Sequence, residues 1–182
     1  SGVAAAIGDL DGDGQVDLVL SSSPRWMTSD VVAEGLLLYR QHTTAGHLPS
    51  AGHLPNASHL LEDAPQWLNK NDGAASIQFG DVNGDGKLDI VTTGQSGHPD
   101  RADDQQSYFY LNQGIDPATN ELKFRPVPWG GPSAGLGAVL LADLNGDGID
   151  ELIVANDGFD YIYANPNHAE FGACSELPWQ PL

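Results

Sequence analysis

The chain has 182 residues, 40% of them apolar, with 25 acidic against 7 basic side chains and a formal charge of −18. That excess of negative charge argues against nucleic acid and anionic membrane surfaces as partners. Cys174 is the only cysteine, so no intrachain disulfide can hold the fold, and no run of 18 apolar residues offers a membrane-spanning helix.

The 22 glycines and 12 prolines favour turn-rich β structure over helices. In chain order, the first predicted strand is the apolar run 3–7. It is followed by Gly8-Asp-Leu-Asp-Gly-Asp-Gly-Gln-Val-Asp17 and a β-branched run over 16–20. A third strand over 36–40 ends in Tyr39, and the unit closes on Pro65-Gln66-Trp67. Inside it lies a local duplication in which His47, His53 and His59 recur every six residues. The intervening prolines and the lack of short paired spacing make this a surface loop rather than a zinc site. Asn56-Ala57-Ser58 within it is a glycosylation sequon.

The second unit repeats the order: apolar 75–79, then Gly80-Asp-Val-Asn-Gly-Asp-Gly-Lys-Leu-Asp89. A β-branched 88–92, an aromatic 108–112 and Pro128-Trp129 follow. The third has apolar 138–141, then Ala142-Asp-Leu-Asn-Gly-Asp-Gly-Ile-Asp-Glu151. A run over 151–155, Tyr161-Ile-Tyr-Ala-Asn165 and Pro178-Trp179 complete it. The tryptophans are expected to plug the junctions between neighbouring units, with ligand stacking as the alternative. The units are expected to span 1–68 (with a His-rich insertion at 42–61), 69–131 and 132–182. Cys174 reads as a half-buried free thiol, with an intermolecular disulfide as the other possibility.

Eleven of the acidic residues crowd into the three loops. Oxygen-bearing side chains fall at loop positions 1, 3, 5 and 9, with glycine at position 6 where a loop wrapping an ion must turn sharply. Dense hard oxygens suit Ca²⁺, which takes six to eight of them, and without a cation such clusters repel. Site one comprises Asp9, Asp11, Asp13, Asp17 and the Gln15 carbonyl. Site two comprises Asp81, Asn83, Asp85, Asp89 and the Lys87 carbonyl. Site three comprises Asp143, Asn145, Asp147, Glu151 and the Ile149 carbonyl. Glu151 replaces an expected Asp, and Asp150 beside it is a weaker substitute ligand. Three bound Ca²⁺ bring the formal charge from −18 to −12.

These are not EF-hands. An EF-hand needs a bidentate Glu at position 12 and flanking helices, whereas position 12 here is Leu20, Thr92 and Val154 between β-prone runs. Each loop is therefore expected in a β-hairpin. The loop pattern, its following Leu/Ile-Val strand and the later Tyr-x-Asn strand resemble the FG-GAP/VCBS repeats of integrin-α-like β-propellers. Of the family's lettered signature only Phe79-Gly80 is kept. The resemblance implies an all-β fold of three tandem, four-stranded, antiparallel, blade-like repeats, each with a calcium loop in a hairpin. It implies calcium ligation more strongly than integrin-type partner binding.

Three blades do not enclose a propeller channel, for which four or more are usual. The chain begins on a first strand and ends on a Pro-Trp close, and both ends are apolar. Self-association into a head-to-tail filament or a closed ring is thus expected ahead of excision from a longer propeller. Millimolar-range calcium loops and a chain starting at Ser1, as after leader removal, point to an extracellular or cell-surface location. No Gly-x-Ser-x-Gly elbow, His-Glu-x-x-His helix or phosphate-cradling loop is present, so the chain is expected not to be an enzyme. The leading expectation is a calcium-rigidified structural repeat. The alternative is an adhesion or glycan-binding module using loops 21–35, 94–106 and the His-rich segment.

Overall fold

The computed structural model describes residues 4–22, 35–41, 66–69, 74–94, 107–129, 136–146, 148–156, 161–164 and 175–177. The His-rich insertion, the sequon, the two other proposed recognition loops, Asp147, Cys174 and Trp179 lie outside them. Every regular element among the described residues is a strand, and every pairing is antiparallel.

Among the described residues, twelve strands form three sheets. The first runs β1 (Ala5–Gly8), β2 (Asp17–Ser22), β3 (Gly35–Tyr39) and β4 (Gln66–Asn69) in simple up-and-down order. The second repeats that order with β5 (Ala74–Gly80), β6 (Asp89–Gly94), β7 (Ser107–Ile115) and β8 (Leu122–Trp129). The third holds β9 (Leu136–Ala142), β10 (Glu151–Asn156), β11 (Tyr161–Ala164) and β12 (Ser175–Leu177), the last described by backbone alone.

Register aligns the sheets residue by residue. Gly8 pairs with Asp17, Gly80 with Asp89 and Ala142 with Glu151, so each acidic loop joins the first two strands of its sheet. The sheets pack in series, β5 lying against β1 and β2, and β9 against β5 and β6. Two apolar cores result, one at each junction. Leu10, Val19, Leu36 and Leu38 meet Ile77, Ile90, Tyr110 and Leu122 in the first. Val82, Val91, Phe109, Leu111 and Trp129 meet Val139, Leu152 and Val154 in the second.

The middle sheet is covered on both faces, which explains why β6 is buried at all six positions. Period-2 alternation sends Ile90 to one core and Val91 to the other. A strand buried on both sides reads as a continuous β-branched run, as Ile90-Val91-Thr92 does. Trp129 lies in the second junction with its ring 5.5 Å from Phe109, and its Nε1–H donates to the Thr92 carbonyl at 3.3 Å. It is the junction plug expected from the sequence.

Two glycines allow the sheets to approach. A Cβ on Gly8 would sit 2.8 Å from the Phe79 ring and 3.4 Å from Leu88; one on Gly80 would meet the Asp150 carboxylate and sit 2.7 Å from Leu141. Each junction therefore seats the pair Phe79/Leu88, or Leu141/Asp150, on a bare backbone of the preceding sheet. The equivalent pair in the first sheet, Ile7 and Val16, is 69% and 48% exposed. At loop position 2 the same asymmetry holds: Leu10 and Val82 are buried in junctions, while Leu144 is 55% exposed.

Candidate metal-binding loops

All three loops share one backbone design. Glycines occupy positions 4 and 6, with φ between 74° and 89° at Gly12, Gly14, Gly84, Gly86, Gly146 and Gly148. Side chains rarely adopt that left-handed conformation. Repeated left-handed residues turn successive N–H groups inward, and the position-1 carboxylate receives them. Gly12 and Gly14 donate to Asp9 Oδ1 and Oδ2, both at 2.8 Å; Gly84 and Gly86 donate to Asp81, both at 2.7 Å. Gly146 and Gly148 donate to Asp143 at 2.7 and 2.9 Å. Position 6 was readable as a turning glycine; position 4, equally invariant across the three copies, is a second one.

Position 9 is a staple. Asp17 accepts the Leu10 N–H at 2.9 Å and the Gln41 N–H at 3.1 Å, so it ties the loop to the residue just beyond β3. Asp89 does the same with Val82 at 3.2 Å and Asn112 at 2.7 Å. Both carboxylates are fully buried. Burial pushes the Asp89 pKa up to about 7 against the pull of those two N–H donors, and burial likewise raises that of Asp17. The Asn112 side chain also donates to the Leu10 carbonyl at 2.7 Å, joining loop one directly to the second sheet.

The third loop solves the same problem with a longer side chain. Glu151 Oε2 accepts the Leu144 N–H at 2.7 Å, while Oε1 accepts from Asn145 Nδ2 at 2.9 Å. Asp150, beside it, reaches loop two. Its carboxylate lies against Gly80 and accepts the Asp81 N–H of loop two, and burial followed by the charges of Asp143 and Asp81 raises its pKa.

One carboxylate oxygen from each of Asp9, Asp11 and Asp17 lies within 4.8 Å of the others, the one such acidic group among the described residues. An all-oxygen, anionic set at that spacing suits a hard cation. Asp13 is outside this group, exposed, with Oδ1 accepting the Gln15 N–H at 2.7 Å. In loop two, Asn83 and Asp85 sit at the equivalent positions: Asn83 Oδ1 accepts the Asp85 N–H at 2.9 Å, and Asp85 Oδ1 accepts the Lys87 N–H at 3.0 Å. The Lys87 ammonium caps Asp85 at 2.9 Å; burial lifts the Asp85 pKa, but the Lys87 contacts outweigh it and the net shift is downward. Ile149 is buried in loop three.

The FG-GAP repeat family model matches residues 73–110 and 135–173, two stretches that hold loops two and three with their flanking strands. The second and third repeats thus match the FG-GAP repeat. No curated protein matches the chain. Within the FG-GAP frame, sequence reasoning missed one residue of the first loop. Arg40, at the end of β3, is 3% exposed and bonds Asp11 at 2.6 Å. Its signal was a basic residue in place of Leu111 and Ala164 after the shared Tyr, where the loop also carries Asp11 in place of Asn83 and Asn145.

Proposed function

We propose that this protein is a non-enzymatic, extracellular calcium-binding structural protein. Its three repeats, 1–68, 69–131 and 132–182, act as propeller-blade-like units that associate head to tail. Each loop takes one Ca²⁺ through the oxygens of positions 1, 3, 5 and 9 and the carbonyl of position 7. The observation that carries the reading is that loop and junction are one construction. Position 2 of a loop is a core residue of the junction with the next sheet, as Leu10 and Val82 are. In loop one, Asp9, Asp11 and Asp17 each bring a carboxylate oxygen within 4.8 Å of the others. Neutralising the carboxylates thus fixes the surface on which the next sheet sits.

The two unmatched faces support association. Ile7 and Val16 expose the half that Phe79 and Leu88 present at the first junction, and Leu144 exposes the half that Leu10 presents. Ala142 carries a methyl where Gly8 and Gly80 carry none, and the side chain that would meet it, Ile7, is smaller than Phe79. Contacts of this unlike kind close into a ring or extend as a filament according to the rotation between copies. Light scattering and electron microscopy in Ca²⁺ and in EDTA test the reading: calcium-dependent particles heavier than one chain support it. A strictly monomeric particle contradicts association and assigns the open faces to further sheets of a longer chain.

A second reading, as an adhesion or glycan-binding module, is favoured by a groove of about 460 Å³ between β4 and β8. Trp67, Leu68 and Phe124 line it beside Glu121 and Lys123, an aromatic-and-charged mixture suited to sugar stacking. A glycan array probed in calcium, with Trp67→Ala as control, discriminates; a blank array removes this reading.

A further inference from the structure

Asp11 is a predicted calcium ligand, yet the chain already supplies it with a cation. The Arg40 guanidinium reaches Asp11 Oδ2 through one terminal nitrogen at 2.6 Å and through Nε at 3.0 Å. The pair is sealed from water, its side chains being 4% and 1% exposed. The remaining terminal nitrogen of Arg40 donates to the Asn120 carbonyl at 2.6 Å. Asn120 belongs to the β7–β8 hairpin turn of the second sheet, where Asn120 donates to Asp116 and Asp116 to Glu121, each at 2.8 Å. Outside glycine it holds the one positive φ among the described residues, 57°. Arg40 therefore spans from the first loop to the neighbouring sheet.

The internal repeats supply the comparison. β3 pairs Tyr39 with Leu18, β7 pairs Tyr110 with Ile90 and β11 pairs Tyr163 with Leu152, so Arg40, Leu111 and Ala164 are equivalent positions. Loop position 3 is Asp11 where that partner is Arg40, and Asn83 or Asn145 where it is Leu111 or Ala164. The first site holds four acidic side chains (Asp9, Asp11, Asp13, Asp17) and one buried cation. The second loop also carries a cation, Lys87, but its side chain is 45% exposed and it sits on the position-5 acid Asp85, not on position 3.

We propose that Arg40 is a resident counter-cation of the first loop. It neutralises the acid at loop position 3, occupies Asp11 Oδ2 so that a bound metal is left Oδ1, which accepts the Asp13 N–H at 3.2 Å, and clamps the loop to the β7–β8 hairpin. Arg40 is a positioning residue in this scheme, and Asp11 with Arg40 stands where the second repeat has the uncharged residues Asn83 and Leu111. A planar fork reaching a carboxylate and a carbonyl at once is a task that lysine cannot reproduce.

The experiment compares wild type, Arg40→Leu, Asp11→Asn and the double variant Asp11→Asn/Arg40→Leu by thermal unfolding, first in EDTA. Removing one partner of a buried pair strands the other, so each single variant should lose about 10 °C in EDTA. The double variant, which recreates the second repeat's pair, should recover most of that loss; a double variant as unstable as the sum of the singles overturns the pairing. Adding Ca²⁺ forms the second arm, which rests on the calcium reading above. Arg40→Leu should gain more from Ca²⁺ than wild type does, because the metal then replaces the lost charge. An equal gain overturns the counter-cation role. No gain in wild type contradicts the calcium reading alone and leaves the EDTA comparison to decide the clamp.

Discussion

At the scale of single residues, the loops and junctions impose two unusual demands. The first is a carboxylate buried without a side-chain cation. Asp89 is fully buried and its pKa stands at about 7 in the metal-free protein, above the ordinary unfolded value of about 3.9. A group whose folded pKa is raised contributes stability below its unfolded pKa, and that contribution is lost as pH rises through the folded value. Metal-free protein should therefore lose stability between about pH 4 and pH 7, the reverse of ordinary acid denaturation. Thermal melts in EDTA across that range, against Asp89→Asn, check this: the variant should show the shallower decline. The second demand is a bare backbone under a neighbouring sheet. Gly8→Ala drives a methyl into the Phe79 ring, and Gly80→Ala drives one into Leu141 and Asp150. Overpacking of this kind costs about 1–3 kcal/mol. Gly80→Ala should be the worse, since Leu141 Cβ, 3.2 Å from the added methyl, cannot rotate away. Equal melting temperatures for wild type and both variants would mean that the sheets are not so closely seated.

At the scale of elements, the three loops differ in ways that the sequence shows only in part. The acidic spacing, the turning glycine at position 6, the hairpin setting and the strand before and after each loop were all readable. They depend on local chemistry: ligand type, glycine conformation and period-2 patterning. The tie from position 9 to the third strand was not readable, because Asp17–Gln41 and Asp89–Asn112 join residues more than 20 apart and depend on register. Nor was the bond from the Asp81 N–H of loop two to Asp150, which sequence proximity offers only as a weaker substitute ligand for loop three. Arg40 escaped for the same reason: it lies 29 residues from Asp11 and bonds it through the turn of the sheet. The Glu151 substitution yields its own prediction. With Oε1 spent on Asn145, Glu151→Asp should bring loop three closer to its siblings and strengthen its Ca²⁺ binding. Calorimetric titration of the variant measures this, and weaker binding would show that the longer side chain is the better ligand in that loop.

At the scale of the whole molecule, two junction cores hold three sheets in series, and each outer sheet presents a half-junction to solvent. Which side chains face outward required the sheets themselves. Ile7→Glu and Leu144→Glu alter side chains already exposed in the single chain, so they should leave its folding intact. Each should nonetheless shift a calcium-dependent assembly toward monomer in sedimentation experiments. Assemblies indifferent to both changes would place the contact elsewhere. On the proposed calcium reading, ambient ion about tenfold above Kd would add about 1.4 kcal/mol at each loop. Three such loops together are comparable to the lower end of net domain stability, about 5 kcal/mol.

Titrating EDTA-stripped protein with Ca²⁺ in a calorimeter, at neutral pH and with Mg²⁺ present as competitor, measures the occupancy of the loops directly. Three ions per chain, falling to two in each of Asp9→Asn, Asp81→Asn and Asp143→Asn, is the predicted result. A titration that releases no heat of binding at millimolar Ca²⁺, together with an unshifted melting temperature, would contradict it.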